Sequence, residues 1–287
     1  MIKGLLDRRN SQHSDAEMSF VDHLEELRWH IVRSLIAVAI LAIACFVYID
    51  WIFENIILGP INPNFVSYSG LCNLSHFLHI GNALCLPPMH VQLQTTAFGA
   101  QFMSSITIAV VTGFIVAFPY VFWEFWRFIK PALSPQEVRN TRGAIFYISF
   151  FFFCGVAFGY FLLAPFTFNF LGTYTMGTQK LLETKPTLDD YLENLIDLII
   201  GCGAAFELPI LSYVLAKMGL LTPGFLIKNR KFAIVVILVI AAVITPSPDW
   251  MSQTIVFIPL FLLYQLSIFV CKKAVKEDER KQKEEWS

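Results

Sequence analysis

Charge is what this chain lacks. Only 15% of its 287 residues are Asp, Glu, Lys or Arg, against about 25% in an average soluble domain. Phe98–Phe122 and Gly143–Leu171 contain none at all. Together with 56% hydrophobic and 15% aromatic residues and a mean hydropathy of +0.59, these gaps exclude a soluble domain of this size. Also missing are an internal repeat, a glycine-rich phosphate loop and a low-complexity linker. No nucleophile stands beside a base and no metal triad is visible, so neither an enzyme nor a cofactor is expected. A net charge of −1, with no extended basic face, argues against nucleic acid. No removable signal peptide is visible: the first apolar run starts near residue 31, after a polar stretch of mixed charge, and no small-residue cleavage site follows it.

What is present is a series of long apolar runs. About twenty apolar residues cross the hydrocarbon at 1.5 Å per residue, and candidate spans lie at 31–49, 98–122, 144–170, 190–216, 232–244 and 251–271. With the N-terminus placed inside, nineteen of the twenty-one Lys and Arg residues fall on the inner side, and only Lys180 and Lys185 face out. That bias puts both termini in the cytoplasm. The expected fold is therefore an all-α integral membrane protein, one polytopic domain over 1–287, with six transmembrane helices in a concave, kinked bundle. The fifth and sixth spans read as short. Phe232–Ile244 has thirteen residues, and the last run is weakened by Gln253, Pro259 and Gln265; a re-entrant hairpin is the alternative to a double crossing. The outer loop 51–97 has room for one or two short helices, and the tail 272–287 is expected to fray.

Cysteine divides by position. Cys45, Cys154, Cys202 and Cys271 lie in or beside spans and read as small apolar packing residues. Cys72 and Cys85 lie in the outer loop, where an oxidising compartment favours a bridge. His76, His79 and His90 are close by, so free thiols and a zinc site stay open as alternatives, although the spacing matches no standard finger.

The remaining signals are polar groups where membranes normally exclude them. Glu207 stands in the fourth span two residues before Pro209, which frees a backbone carbonyl one turn earlier and kinks the helix. An ionisable group at that depth is a functional candidate. Its structural alternative is a protonated carboxyl bonded to that carbonyl or to Gln265. Asp197 and Glu193 lie one turn apart nearer the outer end, with Asp197 a candidate partner of Lys180 or Lys185. On the inner side, Phe20–Arg28 reads as an amphipathic helix running into the first span, with Ser19 as N-cap and Asp22 as reciprocal cap. Its Glu25 and Glu26 are on different faces, one free to meet solvent and the other a groove. Ser134-Pro135-Gln136-Glu137 is a capping box with proline at the first helical position, so Glu137 has a structural reading as a cap.

Four stretches occur in order: His23-Leu24-Glu25-Glu26-Leu27-Arg28; Phe128-Ile129-Lys130-Pro131-Ala132-Leu133 followed by Glu137; Phe206-Glu207-Leu208-Pro209; and Thr245-Pro246 with Asp249 and Gln253. Together they resemble the TatC family, the multispanning core of the twin-arginine protein translocase, over about residues 19–271. The resemblance implies a signal-peptide receptor in the bacterial cytoplasmic (inner) membrane. It would bind the twin-arginine signal peptides of folded cargo and assemble with single-span subunits of the TatA/TatB type, within a larger and homo-oligomeric complex in contact with membrane lipids. Glu26 and Glu137 would bind the arginines, with Arg28, Phe128 and Pro131 shaping their surroundings; carboxylates suit this because they take guanidinium groups in short, bidentate, charge-assisted hydrogen bonds. Glu207, Gln253, Asp249 and Pro60 resemble the family's polar and turn positions for partner docking. One departure is Trp123-Glu124, where the family usually shows Tyr-Gln. Two alternatives are a proton-coupled secondary transporter relaying through Asp197 and Glu207, which would normally show repeats and broken helices, and a passive membrane scaffold.

Overall fold

A computed structural model describes residues 20–77, 79, 81, 85, 92–129, 144–174, 185–217, 221–245 and 250–285. Among them there is no β-strand, only an isolated bridge between Gln94 and Thr187. The long elements are α1 (Phe20–Val47), α2 (Val66–Phe77), α3 (Ala100–Ile129), α4 (Ala144–Phe158), α5 (Ala164–Thr173), α6 (Leu188–Ala205), α7 (Leu208–Lys217), α8 (Pro223–Lys228), α9 (Arg230–Ile244) and α10 (Trp250–Glu285). Among the described residues, five stretches are long and apolar enough to cross a membrane: Glu25–Val47, Ala100–Phe128, Ile145–Thr173, Leu188–Ala216 and Gln253–Lys276. The 15 residues of α9 reach only about 22 Å and fall short of that length.

Two expectations about the C-terminal part need correcting. The last span is not short: α10 runs unbroken through Gln253, Pro259 and Gln265, and its apolar portion is 24 residues long. Nor is the tail unstructured, since the helix continues to Glu285. From Lys272 to Glu285 there is no Pro or Gly and mostly residues of good helix propensity, so nothing stops a helix already nucleated in the membrane.

Small residues set how closely the spans approach. A Cβ at Gly155 would lie 2.5 Å from the Cys202 carbonyl oxygen, and one at Gly159 would lie 2.7 Å from that of Leu198. The Gly-x3-Gly pair therefore lets α4 and its continuation meet the backbone of α6, the usual use of small residues between membrane helices. Gly113 does the same for α3 and α1, where a Cβ would come 2.7 Å from the Ala42 nitrogen. Around these contacts Leu163, Leu195, Leu198, Ile237, Val256 and Leu260 form the buried core. The opposite faces stay apolar and exposed, as with Ile36, Ile40 and Ile43 on α1 and Val235, Val239 and Val243 on α9, which is what a lipid-facing surface requires.

Backbone irregularities follow from proline. Between α4 and α5 the helix widens into a π turn over Gly159–Leu163, just before Pro165, whose ring has no N–H and would press on the carbonyl of the preceding turn. At the far end of α1, a π turn (Phe53–Ile57) and a 3-10 turn (Gly59–Ile61) leave carbonyls without helical donors. Three tyrosines satisfy them: Tyr160 donates to Ile56 O at 2.6 Å, Tyr191 to Ile57 O at 2.5 Å and Tyr68 to Pro60 O at 2.7 Å. Burial pushes the Tyr68 hydroxyl above its ordinary pKa. Cys72 and Cys85 are joined by a disulfide across a separation of 13 residues, which ties the middle of α2 to the segment that follows the helix.

Candidate functional site

One end of α1 and the last turns of α3 come together around a buried carboxylate. The helix spacing of α1 puts Glu26 and His30 on one face, four residues apart, while Glu25 and Arg28 point outward and are exposed. On α3 the same spacing aligns Tyr120, Glu124 and, one turn on, Arg127 and Phe128. Packing of Gly113 against Ala42 sets the two helices close enough for these faces to touch.

Glu124 is only 1% exposed, yet both of its oxygens are engaged. His30 Nδ1 lies 2.5 Å from Oε2, the Tyr120 hydroxyl donates to Oε1 at 3.1 Å, and an Arg127 guanidinium nitrogen stands 3.6 Å from Oε1. This is how a carboxylate is accommodated inside a membrane helix pair: each oxygen has a hydrogen-bond partner, and a cation stands beside one of them. His30, itself 7% exposed, presents Nε2 to Glu26 Oε1 at 3.9 Å. Glu26 is not sealed in, since its side chain is 38% exposed. The edge of the Phe128 ring faces the imidazole, with centroids 6.3 Å apart, and Arg127 lies over the Trp123 ring at 5.0 Å. The outcome is one accessible carboxylate supported from behind by an imidazole and a buried second carboxylate. Pro131 and Glu137 lie outside the described residues, as do Lys130 and Ser134.

The other polar positions are spread over the bundle. Glu207 sits in the break between α6 and α7, where the Phe206-Glu207 pair leaves the α-helix before Pro209. Its Oε1 is buried with no hydrogen-bond partner. No hydrogen bond from Gln265 reaches that oxygen; the Gln265 amide oxygen accepts from Arg230 at 3.3 Å. Gln253 donates to the Leu238 carbonyl at 3.2 Å and so couples α10 to α9. Asp249 lies outside the described residues. Pro60 is buried, a turn element rather than a contact surface. Asp197 is exposed on α6 and stands ten residues, or about 15 Å of helix, from Glu207; Lys180 lies outside the described residues.

The family model for the Sec-independent protein translocase protein (TatC) matches residues 22–259. The chain belongs to the TatC family. The TatC protein of Blattabacterium sp. subsp. Periplaneta americana (strain BPLAN) is 37% identical over 255 residues, covering 88% of this chain and 95% of the relative. That of Aquifex aeolicus (strain VF5) is 33% identical over 267 residues, covering 93% and 100%. Among solved structures, a crystal structure of the twin arginine translocase receptor TatC is similar with a TM-score of 0.67 at 35% identity, over 88% of this chain and 99% of the other.

TatC membership makes the chain a multi-pass component of the Sec-independent protein translocase, a transport protein, and selects that reading over a solute carrier or a scaffold. It also sharpens what sequence reasoning missed. His30 and Tyr120 carried no signal of their own, since a histidine near the end of a span and a tyrosine within one are ordinary. Glu124 did carry one: it is the carboxylate that replaces the family's usual glutamine, and the structure pairs it with His30.

Proposed function

We propose that the Glu26 end of α1 and α3 is the cytoplasmic receptor site for twin-arginine signal peptides. The observation that carries this reading is an accessible carboxylate, Glu26, held beside a buried imidazole–carboxylate pair in a chain related to a solved twin-arginine translocase receptor. A guanidinium supplies the planar, bidentate donor that such a carboxylate takes best. Glu137 is the second arginine ligand, on the segment after α3, with Arg28, Phe128 and Pro131 bordering the site. In this arrangement α9 completes a sixth crossing, both termini lie in the cytoplasm, and the whole chain is one polytopic domain of the bacterial inner membrane. Positive-inside charge, including Arg230 and Lys231 at the start of α9, and the apolar run Phe232–Ile244 that follows them support that topology.

Glu207, Gln253 and Asp249 are the polar positions at which single-span TatA/TatB-type subunits dock, within a homo-oligomeric complex surrounded by lipid. Pro60 contributes by shaping the far turn. The buried, unbonded Glu207 Oε1 supports this, because a polar atom left unsatisfied at that depth is costly in the isolated chain and can be completed by a partner's polar group.

The test is binding of a twin-arginine signal peptide to the detergent-purified protein, against Glu26→Ala, Glu137→Ala and a Lys-Lys peptide. Several-fold loss in all three supports the receptor site. Equal binding throughout removes it.

A further inference from the structure

The pairing of His30 with Glu124 has a consequence for how Glu26 reads a cation. Glu124 cannot move toward solvent: it is buried and its oxygens are taken by Tyr120, Arg127 and His30. It therefore acts as a fixed acceptor for the Nδ1 side of the imidazole. In the neutral ring that contact places the proton on Nδ1 and leaves Nε2 bare, as carboxylate-bound histidines in metal sites do. The bare Nε2 faces Glu26 Oε1 at 3.9 Å. Two acceptors side by side, one neutral and one anionic, offer nothing to each other, but both can receive N–H groups from one planar guanidinium. An ammonium, a compact point charge, gains from the carboxylate but has no fork with which to span the pair.

We propose that His30, positioned by Glu124, is a specificity-determining acceptor that joins Glu26 in holding one arginine and so separates arginine from lysine at this site. The inference rests on Glu26 being a signal-peptide ligand. It adds a residue that the family motifs do not mark, and a role for the carboxylate that replaces their glutamine.

The experiment uses the full chain in detergent with ring-15N-labelled histidine, His30 being assigned by difference with His30→Phe, at about pH 8. The expected spectrum has a protonated Nδ1 and a bare Nε2. A twin-arginine peptide shifts the Nε2 resonance, and a Lys-Lys peptide does not. In parallel, the ratio of affinities for the two peptides is compared among wild type, Glu26→Ala and the double variant His30→Phe with Glu124→Leu. The double variant removes both partners of the buried hydrogen bond and so avoids stranding either. Its arginine-to-lysine ratio should fall roughly tenfold, the worth of one hydrogen bond to a charged donor, while its melting temperature stays near that of wild type. A proton on Nε2, an Nε2 signal indifferent to the arginine peptide, or an unchanged ratio overturns the inference. If these occur while Glu26→Ala still loses binding, the receptor site stands and only the role of His30 falls. If Glu26→Ala binds like wild type, both fall.

Discussion

Glu124 and His30 are ninety-four residues apart in the chain and 2.5 Å apart in the structure. Each supplies what burial in an apolar helix pair would otherwise deny the other: the carboxylate gains a donor and the imidazole a fixed acceptor. The contact also fastens the Glu26 end of α1 to α3, at the end opposite the Tyr160, Tyr191 and Tyr68 hydrogen bonds to the Ile56, Ile57 and Pro60 carbonyls. Helix positions are thus held at both ends by polar contacts and between them by glycine-mediated approach.

Glu124→Leu alone should destabilise the protein by about 1–3 kcal/mol, because it leaves the buried His30 ring without its acceptor, whereas the Tyr120 hydroxyl, on an exposed side chain, can turn to water. Thermal unfolding in detergent measures this. A melting temperature equal to wild type would mean that water reaches the site freely.

Replacing Gly159 by Leu forces a side chain into space occupied by the Leu198 and Ile199 backbone. Overpacking of this kind typically costs about 1–3 kcal/mol, and here the obstacle is backbone rather than a flexible side-chain end. Lower yield of folded protein and a lower melting temperature are expected, with Gly224→Leu, at a glycine with open space around it, as the neutral control. Equal behaviour of the two variants would refute the close approach of α4 and α6.

Glu207→Leu should raise the melting temperature of the isolated protein and lower transport. A buried carboxylate oxygen without a partner costs free energy in the unassembled chain, and removing it relieves that cost at the expense of whatever it contacts in the complex. A fall in melting temperature instead would make Glu207 a structural residue.

The Cys72–Cys85 bridge closes a loop of 13 residues, for which chain entropy predicts up to about 3 kcal/mol of local stabilisation. Peptide mass spectrometry without reductant should recover the two cysteines linked, and Cys72→Ser should speed proteolysis between residues 66 and 92. Two alkylatable thiols in protein purified from an oxidising compartment would contradict the bridge.

Much of this was legible from local pattern. The apolar runs mark where helices cross, Pro209 marks the break beside Glu207, and the His23–Arg28 stretch marks the end of α1 that carries Glu26. The C-terminal part was less so. Gln253, Pro259 and Gln265 look like weaknesses in a row of letters, yet α10 absorbs all three: Gln253 finds the Leu238 carbonyl and Gln265 finds Arg230. Mixed charge in the tail looks like a solvated coil, but the same residues are good helix formers once a helix arrives from the membrane.

By itself the sequence determined that this chain lives in a bilayer and which family it belongs to, since hydropathy, helix breaks and motif order are read along one strand of chain. Only the tertiary structure decided which polar groups meet. The pairing of Glu124 with His30, of Tyr191 with Ile57 and of Gly159 with Leu198 depends on the register between helices, and register is set by side-chain packing across the interface, to which no residue's own neighbours in sequence contribute.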